Sequence, residues 1–303
     1  MGRLCVALAL SGLVRLLGYA TEPLLSNEEI HRVVGESARI QQIPQTEEHL
    51  SVVTWNIERG QSFEAILETL RRLDADILLL QEVDRHCRRT GYRDVARDLA
   101  HALGMNWVAA GEFQEIGEGR SNQPAIHGQA ILSKFRIENA EALRFDAQAR
   151  WRWSLNPVQP RRGGRMALKA HSAGLLLYST HIESGGNEAL QRKQIAEVLA
   201  DQRREAGLEP VVIGGDFNNG PILRSSVLGS LSAAAFADAL GEAHSRGPTS
   251  SGQQHPIDWI FVRNISPVRG RIVDSRAASD HFPVIAALRA EWSLAAKQLG
   301  TKP

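Results

Sequence analysis

Five apolar runs in this 303-residue chain end abruptly on polar side chains: Asn56 with Glu58, Glu82, His181, Asp216 with Asn218, and Asp258 followed by Asp280 and His281. Any one of these groups is a weak signal, because a strand ending in Asp or Asn usually enters a turn and a lone histidine usually serves the structure. Their recurrence carries the argument, since rigid strand ends can aim several side chains at one small volume. A carboxylate such as Glu82 suits a hard cation, and without a cysteine cluster the ion is Mg2+ or Mn2+. Asn56, Asn218, His181 and His281 can donate hydrogen bonds to phosphoryl oxygens whose charge must be stabilised in a transition state. A buried Asp258 could hold His281 in one tautomer, leaving Asp216 to orient or deprotonate an attacking water. The chemistry this set implies is metal-assisted hydrolysis of a phosphate ester. Gly-x-Ser-x-Gly, Gly-x-x-x-x-Gly-Lys and Gly-x-Gly-x-x-Gly are all absent, which sets aside a serine hydrolase, a phosphate-loop enzyme and a dinucleotide binder.

The elements that must position these residues are short buried strands alternating with amphipathic helices. Leu50–Trp55, Asp76–Leu80, Ala130–Ser133, Met166–Ala170, Leu175–Thr180, Val211–Gly214, Trp259–Val262 and Val284–Leu288 read as strands. Helices are expected after a Ser62 cap, with Phe63, Ile66, Leu67 and Leu70 on one face, over Tyr92–Leu103 closed by Gly104, and over Glu188–Ala200. This alternation predicts an α/β fold of two packed sheets with helices outside. Phe145–Arg165 lacks a period and reads as an inserted loop, in which Trp151 and Trp153 stand among Arg150, Arg152, Arg161, Arg162 and Arg165. That insertion could stack bases and bind phosphates, or the tryptophans could pack and the arginines stay solvated.

Thirty-five basic against thirty-four acidic residues give a net charge of +1, so no global field gathers nucleic acid or membrane and phosphate affinity must be local. The two cysteines, Cys5 and Cys87, exclude a disulfide framework and a thiolate zinc cluster. Leu4–Val14 is apolar but too short for a stable membrane span. With Gly18-Tyr19-Ala20 behind it, it reads either as an export signal, against which Arg15 argues, or as an amphipathic or poorly ordered leader of a cytoplasmic protein. The expected organisation is a lead-in over 1–49, a catalytic domain over 50–292 and a tail over 293–303, in a monomer.

Seven motifs in order then resemble the endonuclease/exonuclease/phosphatase superfamily, the deoxyribonuclease-I-like fold. They are Thr54-Trp55-Asn56-Ile57-Glu58, Leu80-Gln81-Glu82-Val83, Ala130-Ile131-Leu132-Ser133, Ser179-Thr180-His181, Gly215-Asp216-Phe217-Asn218, Ile257-Asp258-Trp259-Ile260 and Ser279-Asp280-His281. The resemblance covers roughly residues 50 to 290 and implies a four-layered αββα sandwich with the site at one edge of two facing sheets. It implies Glu82 as principal Mg2+ ligand with Asn56 beside it, Asp280 near the metal, and Glu58 where some members carry a supporting acid. It implies that Asp216 positions the water, Asn218 and His181 bind the phosphate, and His281, oriented by Asp258, acts as general base or stabilises phosphorane-like charge. The implied substrate is a phosphate ester, of nucleic acid or of a lipid or inositol phosphate; a non-catalytic phospholigand scaffold is the reading from another class.

Two departures stand out. Gly128-Gln129-Ala130 carries Gln where many relatives carry Asn, which reads as a tolerated structural change. His181 replaces the tyrosine arrangement of abasic-site endonucleases, and His181-Ile182-Glu183-Ser184 is similar to tyrosyl-DNA phosphodiesterases, although sphingomyelinase-like and deadenylase-like members share Thr-His-Ile/Leu. Arg192 and Gln194 are expected to brace the sheet edge, and His127, His244 and His255 to be ordinary loop histidines, His255 being close enough to Asp258 in sequence to line the cleft.

Overall fold

The computed structural model describes residues 22–38, 49–149, 160–185, 187–205, 207, 209–220, 226–241, 243 and 247–289. The first sheet joins eight described strands: β1 (Val34–Glu36), β2 (His49–Arg59), β3 (Ile77–Arg85), β4 (Asn106–Glu115), β5 (Ile126–Ser133), β7 (Arg161–Gly163), β13 (Pro267–Ile272) and β14 (Val284–Arg289). Their order is β1-β4-β5-β3-β2-β14-β13, with β7 added to β4. The second sheet has β6 (Ile137–Arg144), β8 (Met166–Ser172), β9 (Leu175–His181), β10 (Val211–Asp216), β11 (Ala237–Asp238) and β12 (Asp258–Arg263), in the order β11-β12-β10-β9-β8-β6.

The strands read as continuous apolar runs because both faces are covered. In β2, Leu50 and Val52 join Leu79, Leu177, Val212 and Ile260 between the sheets, while Val53, Trp55 and Ile57 face outward. Those outward residues pack on Ile66, Leu67 and Leu70 of α2 (Phe63–Leu73) and on Val95, Ala96 and Leu99 of α3 (Val95–Leu103). On the far side, Leu176, Tyr178 and Ile213 pack against Ile195 and Val198 of α4 (Glu188–Glu205) and Val227 and Leu231 of α5 (Ser226–Ala233). The result is the expected helix–sheet–sheet–helix stack. Each fully buried aliphatic side chain contributes about 1.5–3 kcal/mol to holding the layers together.

The structure corrects the sequence reading in several places. The folded unit does not begin near Leu50: a short helix α1 (Asn27–Ile30) buries Ile30, and β1 extends the first sheet by pairing with β4. Glu22 is buried there and accepts the backbone N–H of Gly117 at 2.8 Å and of Ala125 at 3.0 Å. Polar composition hid this strap, because its cohesion comes from side-chain to backbone hydrogen bonds. Helix α3 starts at Val95 rather than Tyr92, since Asp94 supplies the cap by accepting from Arg97 N at 3.2 Å. Ser62 precedes α2 but makes no side-chain cap. Within the inserted loop, Arg161–Gly163 is a strand on β4; Arg150, Trp151, Arg152 and Trp153 lie outside the described residues, as does His244. Among the described helices none is long and apolar enough to cross a membrane.

Candidate active site

Toward one end of the sandwich the facing sheet surfaces change from apolar to polar, row by row. Val52 leads to Thr54 and Asn56, Leu79 to Gln81, Leu177 to Ser179 and His181, Val212 to Gly214 and Asp216, and Ile260 to Asp258. Side chains two apart share a face, so the residues that build the core also aim their polar neighbours into the gap between sheets. Hydrogen bonds cross that gap. Gln81 Nε2 donates to Ser179 Oγ at 3.0 Å and Asn56 Nδ2 donates to Asp216 Oδ2 at 3.1 Å. Gly214 permits the close approach, because a Cβ there would meet Leu79 Cδ1 at 2.6 Å.

Asp216 is the hub. Its Oδ2 lies 3.1 Å from Asn56 Nδ2, 3.4 Å from His181 Nε2 and 3.7 Å from His281 Nε2, while Oδ1 accepts from Asn218 N at 2.9 Å. Burial pushes the Asp216 carboxyl up to about 7, and the Asp258 charge adds to the rise, against the opposing influence of His281. His281 Nδ1 sits 2.9 Å from Asp258 Oδ2. Burial opposes a charge on this ring, yet the carboxylates of Asp258 and Asp216 outweigh it and raise the imidazole to about 10. His281 is therefore a cation at neutral pH. Its backbone is fixed in turn, with its carbonyl accepting from Trp55 Nε1 at 2.9 Å and its N–H donating to Ser279 Oγ at 3.1 Å. His181 behaves oppositely: burial, with Arg165, His127 and His281 nearby, depresses it well below the ordinary imidazole value. It is neutral, and its buried Nδ1 has no hydrogen-bond partner among the described residues. Asn218 spends an Nδ2 hydrogen on Ile182 O at 3.1 Å, which leaves its second for a ligand.

Three strands of the first sheet, β2, β3 and β4, carry a glutamate where the ladder slips. The register shifts between Asn56 and Arg59 at Glu58, between Gln81 and Val83 at Glu82, and between Gly111 and Phe113 at Glu112. Glu58 and Glu82 have φ of 46° and 52°, a left-handed backbone that side chains rarely adopt. Glu82 is half-buried. Burial raises its carboxyl, but His127, Arg59, Arg165 and a hydrogen bond from Asn56 more than offset this and hold it below the usual range. Exposed Asp280 lies at the rim, where its N–H donates to Glu58 Oε2 at 3.3 Å. Of the described acids and histidines, the set with ligand atoms close enough to share an ion is Asp216, Asp258 and His281, not Glu82, Glu58 and Asp280. In that trio the His281 Nδ1 proton points at Asp258, so it is better described as a hydrogen-bonded dyad beside Asp216.

Sequence reading passed over four participants. Glu112 is fully buried, receives Arg165 Nη1 at 2.9 Å and Gln129 Nε2 at 3.1 Å, and lies 3.9 Å from His181 Nδ1. Gln129 is thus part of this polar cluster rather than a neutral replacement. Arg165 belongs to the cleft and not to a solvated loop. His127 is no loop residue: it lies in β5, buried, with Nδ1 2.9 Å from Asp84 Oδ1. Counting back by two from inward-facing Ile131 gives Gln129 and then His127, the one signal that would have found both. Gln194 does brace a loop, accepting from Glu183 N at 2.8 Å, while Arg192 is exposed and His255 half-buried.

The geometry agrees with what comparison finds. A family model described as the endonuclease/exonuclease/phosphatase family matches residues 53–281. The chain belongs to that family. Its members are phosphoric-ester hydrolases, as the family's name states. The comparison with curated proteins returned no match. Among solved structures, the human Nocturnin catalytic domain with bound sulfate aligns with TM-score 0.59 at 16% identity, covering 87% of this chain and 99% of that one. The mannosyl-6-phosphatase of Bacteroides thetaiotaomicron aligns at 0.57 and 17% identity, covering 79% and 99%. An AP endonuclease from Archaeoglobus fulgidus aligns at 0.55 and 17% identity, covering 78% and 98%. Similarity at this level establishes the shared fold of this endonuclease/exonuclease/phosphatase member and leaves its substrate to the site.

Proposed function

We propose that the chain hydrolyses a phosphate ester, diester or monoester, by in-line attack of water with Mg2+ or Mn2+ as cofactor. The observation that supports this most is the convergence on Asp216 Oδ2 of Asn56, His181 and His281, three potential phosphate donors around one candidate base. A carboxylate tuned to about 7 can take a proton from water at neutral pH, which is where a general base is most effective. The cationic His281 then donates Nε2–H to a phosphoryl oxygen as charge accumulates, and Asp258 holds the ring in place. His181 and the free Asn218 amide hydrogen bind the remaining oxygens.

Glu82, ionised and half-buried, fits a hard cation, with the Asn56 amide hydrogen-bonded to it; Glu58 and Asp280, paired with each other at the rim, would have to swing inward to add further oxygen donors. When bound, the cation would neutralise phosphate charge and stabilise the departing oxygen. The named relatives include a phosphatase and an endonuclease, so the fold alone does not choose between monoester and diester.

Hydrolysis of bis(p-nitrophenyl) phosphate and p-nitrophenyl phosphate, with Mg2+, with Mn2+ and with chelator, tests the reaction class. Turnover should require the metal, and Glu82→Ala, Asp216→Ala and His281→Ala should each lose most of it while melting cooperatively. Full activity in chelator, or in any of the three variants, would sink the proposal. A screen of DNA, RNA, sphingomyelin and phosphoinositides then identifies the substrate class.

A further inference from the structure

The Asp258–His281 dyad spans the gap between the two sheets. Asp258 opens β12 of the second sheet, whereas His281 lies just before β14 of the first. Apolar packing between sheets is non-directional, so by itself it does not hold a donor and an acceptor within hydrogen-bond tolerance. Each partner is secured on its own side: Asp258 pairs with Asp216 on the β10–β12 ladder, and Trp55 and Ser279 hold the His281 backbone. The spacing between the two sides needs a separate tie.

Thr249 supplies it from the loop before β12. The residue is fully buried, and its Oγ1 accepts the backbone N–H of Ile257 at 2.9 Å and of Asp258 at 3.0 Å. Its carbonyl accepts the Phe282 N–H at 2.7 Å. Ser250 forms a β-bridge with His281, and the Ser251 N–H donates to Asp280 O at 2.8 Å. Residues 249–251 thus run as an antiparallel strip along 280–282, while the Thr249 hydroxyl grips the start of β12. The bonds that cross the gap from Asn56 and Gln81 end on side chains, whereas Thr249 reaches main chain on both sides. A hydroxyl has two lone pairs, and two consecutive N–H groups occupy both, which leaves the Asp258 backbone little freedom to turn.

We propose that Thr249 is a positioning residue whose hydroxyl and carbonyl together set the distance at which Asp258 orients His281. This rests on the reading of His281 as the donor to a phosphoryl oxygen. The role belongs to the hydroxyl oxygen: serine retains it, valine keeps the shape without it, and alanine loses both.

Proton NMR of the full chain in chelator, without substrate, reads the dyad directly. A charge-assisted bond from imidazole N–H to a carboxylate is short and moves its proton far downfield of the amides, and His281→Gln assigns the signal by removing it. Thr249→Val should lose or shift that signal and lower kcat by up to about 100-fold with KM near wild type, while Thr249→Ser retains both. A purely structural role would lower the melting temperature of Thr249→Val and leave the signal and kcat of the folded protein at wild-type values, a result that would overturn the assignment. So would a loss of kcat in Thr249→Ser as large as in Thr249→Val. Should Thr249→Val fail to fold, Thr249→Ala, which leaves room for a water on the two N–H groups, is read in its place; if neither folds, Thr249→Ser decides alone. His281→Gln separates the two layers: if it hydrolyses phosphate esters as the wild type does, the reading of His281 falls and takes Thr249 with it; if only His281→Gln is impaired, the role of Thr249 alone is refuted.

Discussion

Replacing Asp258 with Asn removes one buried charge and keeps its volume and an acceptor for the His281 ring. His281 stands at about 10 against an ordinary 6.5, and at about 1.4 kcal/mol per pH unit the site favours its charged form by ~5 kcal/mol. Two carboxylates supply this against the cost of burial: Asp258 at 2.9 Å and Asp216 at 3.7 Å. An opposite charge at such range accounts for roughly 1–3 pH units, so His281 in Asp258→Asn should titrate roughly 2 pH units lower. Asp216 should move the same way, because the Asp258 charge helps to raise it. The base acts ionised and the imidazolium acts protonated, so the rate should rise through the Asp216 titration and fall through that of His281. In the variant both limbs of that bell slide toward acid, and activity at pH 9 suffers more than activity at pH 6. The imidazole Cε1–H signal of His281, assigned with His281→Gln and followed by NMR in metal-free protein, gives the titration directly, and a pH–rate profile gives its consequence. A His281 midpoint unmoved by the substitution would refute the claim that Asp258 holds the ring charged.

Three further outcomes follow from packing. Gly215→Ala places a methyl group against Thr180 O across the β9–β10 ladder, next to both His181 and Asp216. It should cost about 1–3 kcal/mol in urea unfolding and most of the turnover; wild-type activity would show that the strands separate freely. Gly229→Ala in α5 meets nothing within 4 Å and should instead stabilise by about 0.5–1 kcal/mol, a loss in the same titration counting against the helix. Glu22→Ala strips the acceptor from Gly117 and Ala125 N–H and should destabilise the full chain by about 1–3 kcal/mol; an unchanged midpoint would show that the strap adds nothing.

How far the sequence could be read differs between these parts for physical reasons. Asp216, His181 and Asp258 were legible because each ends or begins an apolar strand, and a strand fixes where its last side chain goes. The layering was legible too, since Val53 and Val52 are both apolar only if both faces of β2 are covered. Glu112 and His127 escaped because each lies within a strand, Glu112 between Gly111 and Phe113 and His127 between Ile126 and Gly128, and not at the end of an apolar run. The strap from Glu22 to Glu36 escaped because carboxylate-to-backbone hydrogen bonds leave no periodicity. The left-handed backbone at Glu58 and Glu82 was invisible for a different reason: glutamate is not a residue that announces such a conformation, and the surrounding sheet imposes it.

Those slipped positions carry a consequence for how such a site can change. In an unbroken strand every side chain is tied to the alternation that builds the core, and moving an acid by one position would turn the whole row inside out. At Glu58, Glu82 and Glu112 an extra residue absorbs the mismatch. The acids are thereby uncoupled from the register of Val52, Leu79 and Val108 beneath them. Reactivity and architecture can then vary independently on the same strands: a lineage can shift, gain or drop a carboxylate at the mouth of the cleft without re-threading the sandwich.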